Sequence, residues 1–176
     1  MFQRFYPKEY FASIYEIDFL KLYQQGYRGV LFDIDNTLVP HGAPADKKIV
    51  EFFGQLKQIG LKTCLISNNQ IERVKGFADA VGASFIENAH KPAVRNYYHA
   101  MGLLETDISN TIFVGDQLFT DIYGANRANI RTILVKPIHP KEEIQIVLKR
   151  YLEKIVLYFY RKECEKQKKI EKGEKK

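Results

Sequence analysis

Five short apolar runs recur through the middle of the chain, and each of the first four is followed by a stretch with helical spacing. The runs are Gly29-Val30-Leu31-Phe32, Thr63-Cys64-Leu65-Ile66, Ser84-Phe85-Ile86, Thr111-Ile112-Phe113-Val114 and Thr132-Ile133-Leu134-Val135. They are continuous rather than alternating, which suits strands covered on both faces. Between them, Asp46 is placed to cap a helix reaching about Ile59, with Gly60 at its end. A second helix is predicted from about Gln70 to Val81 with Gly82 following, and a third from Pro92, a residue suited to a first helical turn, to near Gly102. A fourth spans about Thr120 to Ala128. Strand–helix alternation of this length predicts an α/β fold. It would be a doubly wound, Rossmann-like parallel sheet of about five strands, with helices on both faces and right-handed crossovers.

The rest of the chain is organised around that core. A length of 176 residues suits one domain. Residues 1–164 read as that domain, made of an aromatic-rich segment 1–26, the core 27–138 and a helix 141–163. The formal charge of +6 is uneven: residues 161–176 hold eight Lys/Arg and four Glu, so the basic character belongs to the tail. Residues 165–176 lack apolar side chains except Ile170 and are expected to be disordered. No apolar run approaches the ~18 residues of a membrane span, and the N-terminus lacks a signal-peptide core, so a cytoplasmic protein is expected. Cys64 and Cys164 form no metal-ligand or disulfide pattern; Cys64 reads as a small buried side chain.

Two terminal features carry alternative readings. Phe2, Phe5, Tyr6, Tyr10, Phe11, Tyr15, Phe19 and Tyr23 either pack across the sheet edge or meet a membrane surface, and packing is the favoured reading. The C-terminal helix becomes apolar nearly all round at Ile155-Val156-Leu157-Tyr158-Phe159-Tyr160, just before the basic tail. Packing and peripheral contact with an anionic bilayer are both open for it.

In an open parallel sheet, ligands bind beyond the carboxyl ends of the strands. There the sequence places Asp33-Ile34-Asp35-Asn36-Thr37-Leu38 after the first run and Ser67-Asn68-Asn69 after the second. His90-Lys91-Pro92 precedes the third helix, and Gly115-Asp116 with Asp121 follows the fourth run. Converging carboxylates repel, so a cation is needed to hold them together; oxygen ligands beside a phosphate point to Mg2+. Lys91 and Ser67 supply a charge and a hydroxyl suited to a phosphoryl group. Each signal has a plainer reading. An Asp-x-Asp pair alone is usually a turn, Ser67 alone a helix cap, Lys91 a surface charge, and Asp121 a complement to its helix's positive end. Their joint order and spacing outweigh these. His41, His90, His99 and His139 show no pairing pattern.

With these residues in place, the chain resembles the haloacid dehalogenase-like (HAD) phosphatases over about residues 28–137. Asp33 to Leu38 resembles their first motif, Ser67 the second, Lys91-Pro92 the third and Gly115-Asp116 to Asp121 the fourth. It is similar in particular to the YqeG-like group of subclass IIIA, itself similar to phosphatidylglycerophosphate phosphatases. The resemblance implies that Asp33 attacks phosphorus, that Asp35 acts as acid and base, and that Ser67 and Lys91 hold phosphoryl oxygens. It further implies Mg2+ on Asp33, Asp116 and the backbone of Asp35, with Asp121 supporting the metal site. Asn68 and Thr37 are weaker substrate-binding candidates. Such sequences often carry Gly where this chain has Asn129, which tolerates the same left-handed turn.

The intervals between motifs leave no room for a cap domain. An open site suits a phosphate borne on something large, with a lipid such as phosphatidylglycerophosphate the leading expectation. Proteins, nucleic-acid ends, small metabolites or a non-catalytic adaptor role are the alternatives; no groove-reading motif for a specific nucleic acid is present.

Overall fold

The computed structural model describes residues 2–139 and 144–171, with backbone alone at 144–148 and 171. Among these, the strands are β1 (Glu9–Phe11), β2 (Gly29–Phe32), β3 (Lys62–Ile66), β4 (Ser84–Ile86), β5 (Thr111–Gly115) and β6 (Arg131–Val135). The helices are α1 (Phe19–Gln24), α2 (Lys47–Ile59), α3 (Ile71–Val81), α4 (Arg95–Leu104), α5 (Tyr123–Arg127) and α6 (Ile144–Glu171). The strands form one parallel sheet in the order β1-β6-β5-β2-β3-β4. The chain moves outward from β2 through β3 to β4, then crosses back to β5 on the other side of β2. That reversal opens a crevice at the carboxyl ends of β2 and β5.

The sheet has one strand more than expected. The extra one, β1, comes from the aromatic segment and pairs with β6 from Glu9–Ile133 to Phe11–Val135. Both sheet faces are covered, which explains the unbroken apolar runs. Val30, Phe32, Leu65, Ile112 and Val114 pack on one face with Ile49, Phe52, Phe53 and Leu56 of α2 and Phe77 of α3. Leu31, Cys64, Ile66 and Phe113 pack on the other with Tyr97, Met101 and Ala125. Burial pushes the Cys64 thiol up to about 12, fitting a packing role.

The first two helices end as their sequences dictate. Asp46 Oδ1 accepts the Ile49 N–H at 2.8 Å, and Gly60 closes α2 at φ +97°. Gly82 closes α3 at φ +68°. The third starts later than expected: α4 begins at Arg95, not Pro92, and ends at Leu104, near Gly102, with Glu105 capping it in the left-handed region. Residues 90–93 form a turn instead, closed by the Ala93 N–H on the His90 carbonyl at 2.9 Å. Asn68 grips that turn: its Oδ1 accepts the Lys91 N–H at 2.8 Å and its Nδ2 donates to the Lys91 carbonyl at 3.3 Å. The fourth helix also differs. Leu118–Ile122 forms a wide π turn before the short α5, with the Ile122 N–H reaching back to the Gln117 carbonyl at 3.1 Å. Such turns frequently mark functional sites. Asn129 takes the left-handed turn at φ +57°.

The aromatic segment packs inward. Phe2, Phe5, Tyr6 and Tyr10 lie against Leu118, Ile122, Leu134 and Val156. Helix α6 runs to Glu171, past the expected end at 163 and into the segment expected to be disordered, over about 42 Å of rise. Residues 141–143 of the predicted helix and 172–176 of the tail lie outside the described residues. Among the described residues, no helix is long and apolar enough to cross a membrane.

Close contact between α4 and α5 depends on Gly124, where an added Cβ would lie 2.5 Å from Tyr97 Oη. Gly124→Ala should therefore cost about 1–3 kcal/mol in urea unfolding, as overpacking does. An unchanged midpoint would show that the two helices separate freely.

Candidate active site

Every strand facing the crevice ends in polar residues because its apolar run stops there. Asp33 follows β2, Ser67 follows β3, and Asp116 follows β5. Lys91 arrives from the turn before α4, and Asp121 from the π turn. The structure gathers Asp33, Lys91, Asp116 and Asp121, with Thr37 among them. Lys91 Nζ donates to Asp33 Oδ1 at 2.5 Å and to Asp121 Oδ1 at 2.7 Å. Thr37 Oγ1 lies 3.1 Å from Asp33 Oδ2 and 3.0 Å from Asp116 Oδ1, and its single proton serves one of them at a time. All five of these side chains are buried.

Local sequence sets this geometry. Asn36 adopts φ +65°, so the chain doubles back at once and the Asn36 N–H meets the Val39 carbonyl at 2.7 Å. That reversal brings Thr37 over Asp33. Gly115 lets Asp121 approach β5, since a Cβ there would lie 2.6 Å from Asp121 Oδ2. Tyr97 Oη lies 3.2 Å from the carbonyls of both Thr120 and Asp121, and its one proton, donated to either, supports the same turn from α4.

The electrostatics are those of crowded buried carboxylates. Burial pushes Asp33 up to about 6; Lys91 opposes this, and repulsion from Asp121 adds to it. Asp116 is pushed well above the usual range by burial, then by Asp33 and Asp121, against the pull of Arg150. Burial would by itself lower Lys91, but Asp121 and Asp33 overcome it and hold the ammonium charged. Asp33, Asp116 and Asp121 offer oxygens within 4.8 Å of one another. Asp121 has one oxygen on Lys91 and the other accepting the Gln117 N–H at 3.1 Å. Asp33 and Asp116 are thus the pair best fitted to hold a hard divalent cation, which would relieve their repulsion.

Asp35 lies at the rim of this group. Its Oδ1 accepts from the Gly42 N–H at 2.7 Å and from Arg73 at 3.1 Å, and its Oδ2 accepts from Asn69 Nδ2 at 2.5 Å. Ser67 Oγ accepts the Asn69 N–H at 3.1 Å. Two expected substrate contacts are occupied differently: the Asn68 amide grips the Lys91 backbone, and the Thr37 hydroxyl serves the carboxylates. His41 stands near the rim, 3.9 Å from Asp35.

Sequence reasoning placed Asn69 at this edge, in the Ser67-Asn68-Asn69 stretch past β3, without giving it a role, and missed Arg73, Tyr97, Arg150 and Glu153. From α6, Arg150 Nη1 donates to the Asp116 carbonyl at 2.7 Å, and Nη2 donates to Asp116 Oδ2. The same guanidinium bonds Glu153 at 2.9 Å.

Because Asp33 moves from an ordinary 3.8 to about 6, the fold keeps a proton there after the unfolded chain has released it. Its contribution to stability therefore falls as pH rises from about 4 to about 6. Metal-free Asp33→Asn should resist urea better than the unsubstituted protein above pH 6 and no better at pH 4. Parallel behaviour at both pH values would refute this.

A family model described as haloacid dehalogenase-like hydrolase matches residues 41–129. The chain is 34% identical over 154 residues to the "Probable phosphatase YqeG" of Bacillus subtilis (strain 168), covering 87% of this chain and 90% of that one. It is 27% identical over 158 residues to "Phosphatidylglycerophosphate phosphatase 1, chloroplastic/mitochondrial" of Arabidopsis thaliana, of which the match covers 45%. A crystal structure of an uncharacterized protein from Listeria monocytogenes serotype 4b shares the fold, with TM-score 0.52, 21% identity, and coverage of 66% of this chain and 86% of that one. With half the chain matched by the family model and a relative aligned over most of both lengths, this chain belongs to the haloacid dehalogenase-like hydrolases.

Proposed function

We propose that this HAD-type phosphatase hydrolyses phosphomonoesters with Mg2+ through an aspartyl-phosphate on Asp33, and that its substrate phosphate is borne on a lipid such as phosphatidylglycerophosphate. The observation that carries the chemistry is Asp33 itself, held by Lys91 on one oxygen and beside Thr37 and Asp116 on the other. In the first step an Asp33 oxygen bonds to phosphorus as the ester P–O bond breaks, and Asp35 gives the leaving oxygen its proton. In the second, Asp35 takes a proton from water as the water oxygen attacks phosphorus. Inorganic phosphate leaves and Asp33 returns to carboxylate. Lys91 and the Ser67 hydroxyl hold the phosphoryl oxygens as charge spreads over them. Asp35 must turn from Asn69 and Arg73 to reach the leaving group. Asp33, Asp116 and the Asp35 carbonyl would hold Mg2+, which when bound would supply positive charge to the phosphoryl group.

Two features support a lipid-borne substrate. One is the similarity to the Arabidopsis phosphatidylglycerophosphate phosphatase. The other is the outer face of α6. Tyr151, Ile155 and Tyr158 stand 63%, 52% and 54% exposed along it, and Lys162 and Lys169, with Glu165 between them, continue the same line. An aromatic and aliphatic stripe running into lysines suits the interface of an anionic bilayer, at which the protein would be peripheral.

Phosphate release from phosphatidylglycerophosphate in vesicles should require Mg2+ and vanish in Asp33→Asn. Lys91→Met should slow it by about 100- to 1,000-fold. Equal turnover of soluble sugar phosphates, nucleotides or phosphopeptides would overturn the lipid reading and leave the chemistry standing. Ile155→Glu with Tyr158→Glu should reduce sedimentation with phosphatidylglycerol vesicles while leaving hydrolysis of p-nitrophenyl phosphate unchanged. Undiminished sedimentation would remove α6 as the docking face.

A further inference from the structure

Helix α6 reaches the site with one turn of its inner face. Arg150 and Glu153 lie three residues apart there, and together they hold the loop that follows β5 at several points. The Arg150 guanidinium donates to the Asp116 carbonyl at 2.7 Å, to Asp116 Oδ2, and to Glu153 Oε2 at 2.9 Å. Glu153 Oε1 accepts the Leu118 N–H at 2.7 Å. Two backbone groups and one carboxylate of residues 116–118 are thus held by two side chains. The groups are desolvated: the Arg150, Asp116 and Glu153 side chains are 16%, 0% and 6% exposed. A pair left unmatched at such depth is costly, so the contacts are mutually enforcing.

The division of labour on Asp116 is specific. Oδ2 faces Arg150, while Oδ1 faces Thr37 and, through it, Asp33. A fork that holds both the carbonyl and one oxygen fixes the carboxylate plane and leaves the other oxygen toward the crevice. An anchor for α6 alone would not need the metal-site carboxylate, because the Glu153–Leu118 bond and Val156 in the apolar cluster already attach the helix.

We propose that Arg150, braced by Glu153, is a positioning residue of the metal site. It orients Asp116 so that Oδ1 meets the cation, and this makes α6 a working part of the active site. The inference rests on the proposed Mg2+ site. It differs from a reading in which the guanidinium competes with the cation, because it gives the opposite sign when Arg150 is removed.

The test is calorimetric titration of Mg2+ into the full-length protein, a readout independent of turnover, alongside urea unfolding in EDTA. Arg150→Ala should weaken Mg2+ binding by about 10- to 100-fold, the range for residues that orient a metal ligand. Arg150→Lys, which keeps charge but loses the fork, should fall between, and Glu153→Gln should weaken binding less than Arg150→Ala. Lys154→Ala, on the exposed side of α6, should bind as the unsubstituted protein does. Equal or tighter Mg2+ binding in Arg150→Ala overturns the proposal. If Arg150→Ala does not fold, unchanged affinity in both Arg150→Lys and Glu153→Gln overturns it. Failure of the unsubstituted protein to bind any divalent cation would overturn the Mg2+ reading as well, and so separates the two.

Discussion

The buried ammonium of Lys91 between Asp33 and Asp121 is the interaction on which the rest of this structure depends. It joins three segments far apart in sequence: the end of β2, the turn before α4 and the π turn after β5. Without it, two desolvated carboxylates would face one another, and leaving a charge of a buried pair unmatched costs about 3–5 kcal/mol. The surroundings serve to keep the ammonium in place. Asn68 fixes its backbone, the Phe113 ring lies 5.7 Å away, and Gly115 gives Asp121 the room to come close. Even so, burial first, and then repulsion among the carboxylates, holds Asp33 and Asp116 above their ordinary range against the pull of Lys91 and Arg150. A fold that tolerates this has placed unfavourable charge where phosphoryl chemistry can use it.

The ends of the chain take part in the same construction. Phe5 packs edge-on to Phe119 and beside Tyr123, while Phe2 stacks on Phe159 and Tyr6 meets Tyr160 edge-on. The aromatic segment therefore lies between the π turn and α6, two elements that bear on Asp116 and Asp121. Its apolar burial supports a polar site it does not touch. This is how packing of the termini passes into the precision of the crevice: residues 2–11 hold α6, and α6 holds residues 116–118.

Much of this was readable in the sequence because of where strands end. An apolar run that stops at Asp33, Ser67 or Asp116 must deliver those side chains to one edge of a parallel sheet, so local pattern and global position coincide. The five core strands, the caps at Asp46, Gly60 and Gly82, and the left-handed Asn129 follow from equally local chemistry. What escaped was set by tertiary contact. Arg73, Arg150 and Glu153 sit within helices, where a charged residue reads as a solvated face until another element is brought against it. Pro92 looked like a first helical residue, but it sits in a turn closed by the Ala93 N–H on the His90 carbonyl and gripped at Lys91 by Asn68. The strand β1 has three residues and no alternation to reveal it, and its partner β6 lies more than a hundred positions on. The continuation of α6 to Glu171 runs through a segment whose composition suggests disorder.

The sheet's two outermost strands, β1 and β4, are also its shortest, at three residues each. An unpaired strand edge is a template on which a second chain can add by main-chain hydrogen bonds, and such addition begins many amyloid and swapped assemblies. Keeping the long strands inside and the short ones outside leaves few free amides and carbonyls on either flank. The architecture that concentrates chemistry at one end of the strands thereby limits self-association along their sides.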